Sequence, residues 1–225
     1  MLWQDFLELL APSPFVCDLC QQQIIDEGLP GCRSCLAQLE LRLRVLQVSG
    51  IPCYAVGVYQ NRMKELLREI KYQGNYKAAF VLGMILGLAC QEEAALQGVR
   101  WILPVPLHAN RIRKRGFNQA RVLADGMIRV WKRPIYQGMI RIRDTEPQSD
   151  LSPVERRKNL QQAFMITDAK VLLGQQVLIV DDIFTTGTTV QTIASLIAGY
   201  GAVPRGLFVA KSLSLKGLGG NVNAT

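Results

Sequence analysis

The stretch that decides the fold is Val177-Leu178-Ile179-Val180-Asp181-Asp182-Ile183-Phe184-Thr185-Thr186-Gly187-Thr188-Thr189. Its apolar run predicts a buried strand that ends at two adjacent carboxylates. Buried carboxylates cost desolvation energy, so a bound group usually accompanies them, here most simply ribose hydroxyls or a ligand bridged by Mg²⁺. The threonines around Gly187 suit a phosphate, because a glycine with positive φ turns backbone N–H groups inward at the positive end of the next helix. The stretch therefore predicts a strand, a sugar phosphate site and a helix.

A simpler interpretation of this stretch is structural. Thr188 or Thr189 would cap the next helix, and Asp181 and Asp182 would make turn hydrogen bonds. The full string is more specific, and it resembles the phosphoribosyl pyrophosphate signature of type I phosphoribosyltransferases. That resemblance implies that the two aspartates hold the 2′ and 3′ hydroxyls of the ribose. It also implies a loop around the 5′-phosphate, made of Thr185, Thr186, Gly187, Thr188 and Thr189.

Length and composition bound the domain organisation. A chain of 225 residues that is 49% hydrophobic can bury a full α/β core and still carry a small appendage. The first five residues are acidic rather than basic and lack the charge order of a signal peptide. The longest apolar stretch, Ala78 to Cys90, is too short to span a bilayer. We therefore expect a cytoplasmic protein without membrane insertion.

Four cysteines near the N-terminus, Cys17, Cys20, Cys32 and Cys35, form two Cys-x-x-Cys pairs. Two Cys-x-x-Cys pairs, each on a short knuckle-like turn, provide the four ligands of a tetrahedral, structural Zn²⁺ site. A redox Cys-x-x-Cys pair, an iron–sulfur cluster and loss of the metal are the alternatives, and a disulfide framework would need an oxidising compartment. Such a short segment has little core of its own, so metal binding would contribute much of its folding energy. Cys53 and Cys90 stand alone in apolar settings and are interpreted as buried small hydrophobes.

The apolar periodicity predicts three segments. Residues 1–50 form the zinc-binding module and a connecting helix, with Leu36, Leu39, Leu43 and Leu46 on one face. Residues 51–215 form the main domain, and residues 216–225 form a disordered tail. From Trp101 onward strands and helices alternate, including a strand over Ile135 to Ile140. This alternation predicts a parallel sheet covered on both faces, with ligands at the carboxyl ends of its strands.

The basic residues are concentrated in one part of the chain. Residues 111–160 contain thirteen Lys or Arg and five Asp or Glu, so the net charge of +8 lies within this segment. It begins with a turn after the strand Trp101 to Pro106, and that turn carries Arg111, Arg113 and Arg115. Such a concentration suits a polyanion, either a pyrophosphate group or a nucleic-acid backbone. A solvated basic loop is the alternative.

A polar segment over residues 141–159 has no apolar periodicity, and a loop of this length is usually functional or disordered. Its density of Arg, Gln and Asn suggests a lid that closes over a charged ligand and excludes water. The residues assigned to the lid are Arg141, Arg143, Gln148 and Arg156.

Four blocks together resemble a narrower family, the ComF or ComFC/GntX-type phosphoribosyltransferase-like proteins. The blocks are the four-cysteine module, Pro104 to Gln119 with Arg115-Gly116-Phe117-Asn118-Gln119, the string from Arg141 to Asn159, and the Asp181-Asp182 loop. The resemblance covers nearly the whole chain and implies a type I phosphoribosyltransferase fold with a Mg²⁺-dependent phosphoribosyl pyrophosphate site. In some bacteria it implies a role in competence, with uptake of single-stranded DNA and a helicase as partner.

The reaction that this site would support is displacement at the anomeric carbon of the ribose, with pyrophosphate as the leaving group. Mg²⁺ and the basic turn would stabilise the charge of that group. The sequence assigns no catalytic residue and does not identify the acceptor. His108, the one histidine of the chain, is more often structural than catalytic in such a position.

The alternative from another class is a non-catalytic module that binds single-stranded DNA or a protein partner. Positive grooves with interleaved aromatic side chains suit single strands. Phe117, Trp131 and Tyr136 are the candidates for stacking, and each is equally consistent with a core position. A zinc module that serves only protein contacts is a third hypothesis.

Overall fold

The computed structural model describes residues 16–22, 29–144 and 162–213. Its α-helices are Arg33–Gln38 (α1), Asn61–Arg68 (α2), Tyr76–Glu92 (α3), Ala109–Arg115 (α4), Gln119–Val130 (α5) and Thr188–Ala198 (α6). Its strands are Arg44–Val48 (β1), Ile51–Val58 (β2), Val99–Pro104 (β3), Met139–Arg141 (β4), Phe164–Ile166 (β5), Gln176–Phe184 (β6) and Val203–Lys211 (β7). A π-helix, Glu69–Gln73, continues directly from α2.

Five strands form the main sheet in the order β1-β2-β7-β6-β3. The last four run parallel, and β1 pairs antiparallel with β2 at one edge. On one face, Leu178 and Val180 of β6 belong to a buried cluster with α2, α3 and α5. On the other face, Val177 and Ile179 belong to a cluster with α6. A strand that is buried on both faces needs a continuous apolar run, and the predicted parallel sheet flanked by helices is confirmed.

Helices α3 and α5 approach each other closely because both carry glycine at the contact. A β-carbon at Gly83 would overlap the backbone carbonyl of Leu123, and one at Gly126 would overlap that of Phe80. The two helices therefore pack backbone against backbone and cover one face of the sheet beneath the strand ends.

The predicted connecting helix over Leu36 to Leu46 is wrong beyond its first turns. Helix α1 ends at Gln38, and the residues from Arg44 form β1 instead. Ser49 and Gly50 both have positive φ, and Val48 pairs with Ile51 across them. This is the geometry of a two-residue hairpin. The hairpin pairs residues 44–48 with β2, and this pairing outweighs the preference of the leucine spacing for a helix. The division of the chain at residue 50 stays a prediction. Strand β1 lies before this boundary and pairs with β2, which lies after it.

The predicted strand over Ile135 to Ile140 is also wrong in its extent. Ile135 makes a single parallel bridge to Ile102 of β3. The chain then leaves the main sheet, and β4 pairs antiparallel with β5 in a separate two-stranded sheet. Gly138 permits this departure, because the ring of Tyr136 lies where a β-carbon would stand.

Within the described ranges, no helix has the length and apolar character needed to cross a bilayer. The predicted tail, residues 216–225, and the greater part of the predicted lid lie outside the described residues.

Candidate functional site

The carboxylate pair lies toward the carboxyl end of β6, which continues past it to Phe184. The backbone N–H of Asp182 donates to Asp181 Oδ1 at 2.9 Å, and the N–H of Ile183 donates to Asp182 Oδ1 at 2.7 Å. Asp182 is only 6% exposed, whereas Asp181 is partly exposed. The pair is thus held by its own backbone, with Asp182 in the interior and Asp181 partly buried beside it.

Lys71 supplies the countercharge for the buried member of the pair. Its Nζ lies 2.7 Å from Asp182 Oδ2, and the lysine side chain is 22% exposed. The alternating charges from Lys64 to Lys71 predict a solvated helix face from sequence alone. That prediction is wrong for Lys71, which belongs to the π-helix rather than to a continued α-helix and pairs with Asp182. The wider π turn changes the direction of its side chain, and π turns occur frequently at functional sites. Gly74, which ends the turn with φ +71°, is the only nearby sequence signal, and it does not by itself predict a π turn.

The position of the pair raises the pKa of one carboxyl. Burial, followed by the negative charge of Asp182, raises the pKa of Asp181 to about 7. The N–H of Asp182 and the charges of Lys71 and Arg141 act in the opposite direction but do not outweigh these effects. A cation or hydroxyl group brought to Asp181 would therefore compete with a proton near neutral pH.

The loop after the pair has the geometry of an anion site. Gly187 has φ +76° and stands at the cap position of α6, so neither Thr188 nor Thr189 caps the helix. Thr185 and Thr186 are exposed, Thr188 and Thr189 are partly exposed, and the hydroxyls of Thr186 and Thr188 lie 2.8 Å apart. The N–H groups of the first helical turn have no partner within a helix, and the helix dipole favours an anion there. The loop offers hydroxyls and N–H groups together.

The basic segment after β3 forms a helix rather than the predicted turn. His108 caps α4 by accepting a hydrogen bond from the N–H of Asn110, and Gly116 ends the helix with φ +86°. Arg113 donates to Asn110 Oδ1 at 2.6 Å, and Arg115 donates to Gln119 Oε1 at 3.2 Å. A cap at one end and a left-handed glycine at the other outweigh the lack of an apolar face.

Arg111 connects this helix to the first residues of the predicted lid, just after β4. Its Nε donates to Asp144 Oδ1 at 2.9 Å, and Nδ1 of His108 lies 3.6 Å from the other oxygen of that carboxylate. Desolvation would raise the pKa of Asp144, but the hydrogen bond and charge of Arg111 outweigh it and hold that pKa below its usual value. His108 thus caps α4 and faces the Asp144 carboxylate, and its structural role stays a prediction.

Arg141 ends β4, and its charge interacts with α4 and with the carboxylate pair. Burial, followed by the charge of Arg111, lowers its pKa, while Asp144 and Asp181 act to raise it. Arg141 therefore lies within electrostatic range of Arg111 and Asp144 and of Asp181 at the end of β6. Arg143 donates to Gln162 Oε1 at 2.6 Å. The remaining lid residues, Gln148 and Arg156, lie outside the described residues.

The four cysteines of the N-terminal module converge as their spacing predicts. The sulfur atoms of Cys17, Cys20, Cys32 and Cys35 all lie within 4.8 Å of one another. The N–H of Cys32 donates to the sulfur of Cys17 at 3.3 Å, which orients that ligand. Burial, followed by contacts with Cys32 and Cys20, raises the pKa of the Cys35 thiol, a cost that a bound cation would relieve. The four residues can hold a metal ion.

The two remaining cysteines are buried, as predicted. Cys53 and Cys90 are both fully shielded from solvent, and burial raises the pKa of each thiol to about 12. Two of the three aromatic candidates for stacking are core residues, since Trp131 and Tyr136 are 3% and 4% exposed. Phe117 is partly exposed and packs edge-to-face with Tyr76, with ring centroids 5.8 Å apart.

Residues 112–209 match the family model described as "Phosphoribosyl transferase domain". Competence protein F of Haemophilus influenzae is 28% identical over 83% of this chain and 85% of its own length. DNA utilization protein YhgH of Salmonella typhimurium is 30% identical over 83% of this chain and 79% of its own length. Competence protein ComFC of Bacillus subtilis is 28% identical over 80% of this chain and 70% of its own. The chain belongs to the ComF family of phosphoribosyltransferase-like proteins.

Proposed function

We propose that this protein binds phosphoribosyl pyrophosphate with Mg²⁺ in the crevice at the ends of β3 and β6. The observation that carries the proposal is the direct succession of a carboxylate pair and a helix-capping anion loop. Asp181 and Asp182 would accept hydrogen bonds from the 2′ and 3′ hydroxyls of the ribose. The N–H groups and hydroxyls of residues 185–189 would bind the 5′-phosphate.

The basic helix α4 supports a place for the pyrophosphate end of this ligand. Arg111 is held by the carboxylate of Asp144, and its charge acts on Arg141, which also interacts with Asp181. A pyrophosphate group carries more negative charge than one carboxylate, so it would replace Asp144 as the partner of Arg111. Arg113 and Arg115 follow on the same short helix and would add to the positive field. Arg141, Arg143, Gln148 and Arg156 would close over the ligand.

We further propose that the protein is a phosphoribosyltransferase. The bond between the anomeric carbon and the pyrophosphate oxygen would break, both electrons would leave with pyrophosphate, and an acceptor would form the new bond. Mg²⁺ bound with the ligand supplies charge neutralisation of the leaving group. The protein groups orient the sugar and stabilise charge, and the acceptor provides the nucleophile. The acceptor is not identified by the site.

Calorimetric titration tests the binding step. Phosphoribosyl pyrophosphate with Mg²⁺ is titrated into the metal-loaded wild type and into an Asp181→Asn, Asp182→Asn variant. Asp125→Asn is the matched control, because Asp125 is a surface carboxylate paired with Arg121 on α5. We expect binding to the wild type and to the control, and loss of binding in the double variant. An absence of binding to the folded wild type would overturn the proposal, whereas binding would justify screening acceptors for release of pyrophosphate.

For the cysteine module we propose a structural Zn²⁺ ion. Four sulfur ligands at this separation suit tetrahedral zinc, and a site in which all four ligands come from cysteine leaves no open position for a substrate. Metal analysis of the purified chain should give one zinc per protein. Isolation of the folded chain with an iron–sulfur absorption spectrum, or without any metal, would contradict this assignment.

A second candidate function is binding of single-stranded DNA, and one observation favours it. Phe117 follows the basic helix α4 after Gly116, and its ring packs against that of Tyr76, which is 48% exposed. Cationic and aromatic groups therefore adjoin on one surface. The names of the relatives, which refer to competence and DNA utilization, are consistent with this role. A helicase of DNA uptake as partner follows from the family resemblance alone and stays a prediction. Affinity for an oligonucleotide should fall steeply as salt rises and fall further in an Arg113→Ala, Lys114→Ala variant. Salt-independent binding would exclude phosphate contacts as its source.

A further inference from the structure

The four-cysteine module and the carboxylate pair contact the same helical segment. At the module side, Arg62 Nη2 donates to the backbone carbonyl of Leu19, which lies between Cys17 and Cys20. Arg62 Nη1 lies 2.7 Å from Oε1 of Glu69, the first residue of the π-helix. One guanidinium therefore joins the cysteine turn to the start of the π-helix.

The second oxygen of Glu69 is also used. It accepts a hydrogen bond from Asn75 Nδ2 at 3.2 Å, and Asn75 Oδ1 accepts from the N–H of Ala78 and so caps α3. Glu69 thus ties the π-helix to the cap of α3 as well as to the module. Lys71, two residues after Glu69, carries the ammonium group that pairs with Asp182.

The surroundings of this bridge make it hard to replace. A cavity of about 630 Å³ lies at the junction, and Cys20, Cys35, Arg62, Glu69 and Asn75 are among the residues that line it. Because of this cavity, side chains are not closely packed around the Arg62–Glu69 ion pair. Loss of the guanidinium would therefore leave water at Glu69 Oε1, in the place of Arg62 Nη1. Arg62 and Glu69 are each only about a quarter exposed, with values of 26% and 24%. Their ion pair is therefore stronger than a fully exposed one.

We propose that Arg62 and Glu69 are positioning residues that couple the four-cysteine module to the carboxylate pair, because they fix the π-helix that holds Lys71 against Asp182. The consequence for ligand affinity rests on the proposed function, whereas the coupling itself does not. The module then serves as more than a separately folded appendage: its folded state determines how rigidly the sugar-binding carboxylates are held. By linkage, a ligand at the carboxylates would in turn stabilise the metal-bound module.

Hydrogen exchange on the metal-loaded full chain tests the coupling without any ligand. The variants are Arg62→Met and Glu69→Gln, and Arg121→Met is the matched control. Arg121 pairs with Asp125 at 2.9 Å on the surface of α5 and touches neither the module nor the π-helix. We expect exchange in peptides covering residues 69–73 and 181–187 to quicken about tenfold in Arg62→Met and to stay unchanged in the control.

Two results would overturn the proposal. One is equal exchange at residues 181–187 in Arg62→Met and Arg121→Met. The other is a uniform increase that includes the α5 peptide, which would indicate general loss of stability rather than a coupling. Titration of phosphoribosyl pyrophosphate with Mg²⁺ into the same proteins then separates the two proposals. If the wild type does not bind that ligand, the proposed function fails while the exchange result still decides the coupling.

Discussion

Replacing Lys71 by methionine tests whether the carboxylate pair depends on the cation that pairs with Asp182. The change keeps the length and apolar stem of the side chain and removes the ammonium group that lies 2.7 Å from Asp182 Oδ2. Removing one partner of a buried ion pair costs about 3–5 kcal/mol, because the other charge is left buried without compensation. Asp182 is 6% exposed, which supports the full penalty. Since the lysine side chain is 22% exposed and solvent screens part of the interaction, we expect a loss of about 2–3 kcal/mol in the free energy of unfolding.

A double-mutant cycle in urea at pH 7.5 provides the measurement. Wild type, Lys71→Met, Asp182→Asn and the double variant are unfolded under identical metal-loaded conditions. In the Asp182→Asn background the buried charge is absent, so the lysine substitution should cost less than about 1 kcal/mol. The same cost in both backgrounds would refute the reasoning, since Lys71 would then act through packing of the π-helix and not through the carboxylate.

Three further predictions follow from the site and the module. The pKa of Asp181, raised from 3.8 to about 7, means that the folded state retains a proton which the unfolded state has lost, so stability falls as pH rises between these values. Asp181→Asn should therefore raise the free energy of unfolding by about 2–4 kcal/mol at pH 8 and by almost nothing below pH 4, and an equal gain at both pH values would contradict the assignment. Gly187→Ala should cost about 2–4 kcal/mol in a thermal or urea melt, because its φ is +76° and a β-carbon would lie 2.5 Å from Val48 Cγ2. Gly74→Ala, with φ +71° and nothing within 4 Å, is its control and should cost only about 1–2 kcal/mol. Cys32→Ser should weaken zinc retention against a chelator and lower the melting temperature, whereas Cys53→Ser should leave zinc retention unchanged.

Several features of this protein are determined by short stretches of sequence. The apolar run before Asp181 predicts a strand buried on both faces, and Gly187 predicts the left-handed turn before α6. The spacing of the four cysteines predicts that their sulfurs meet. Each of these depends on local periodicity, on a backbone conformation that only glycine adopts readily, or on a loop short enough to close by itself. Physical rules that involve only residues near one another in the chain can be applied to a sequence alone.

Other features were decided only by the tertiary structure. The leucines from Leu36 to Leu46 fit a helix, yet pairing with β2 turns the end of that segment into a strand. The charged residues around Lys71 have the pattern of a solvated helix face. Only the π turn and the packing of β6 place Lys71 against Asp182. Likewise, Arg111 forms an ion pair with Asp144, which lies 33 residues later in the chain, after β4. The physical reason is that strand pairing and ion pairs depend on the distance between segments in space, and that distance is determined by how the whole chain packs rather than by the neighbouring residues.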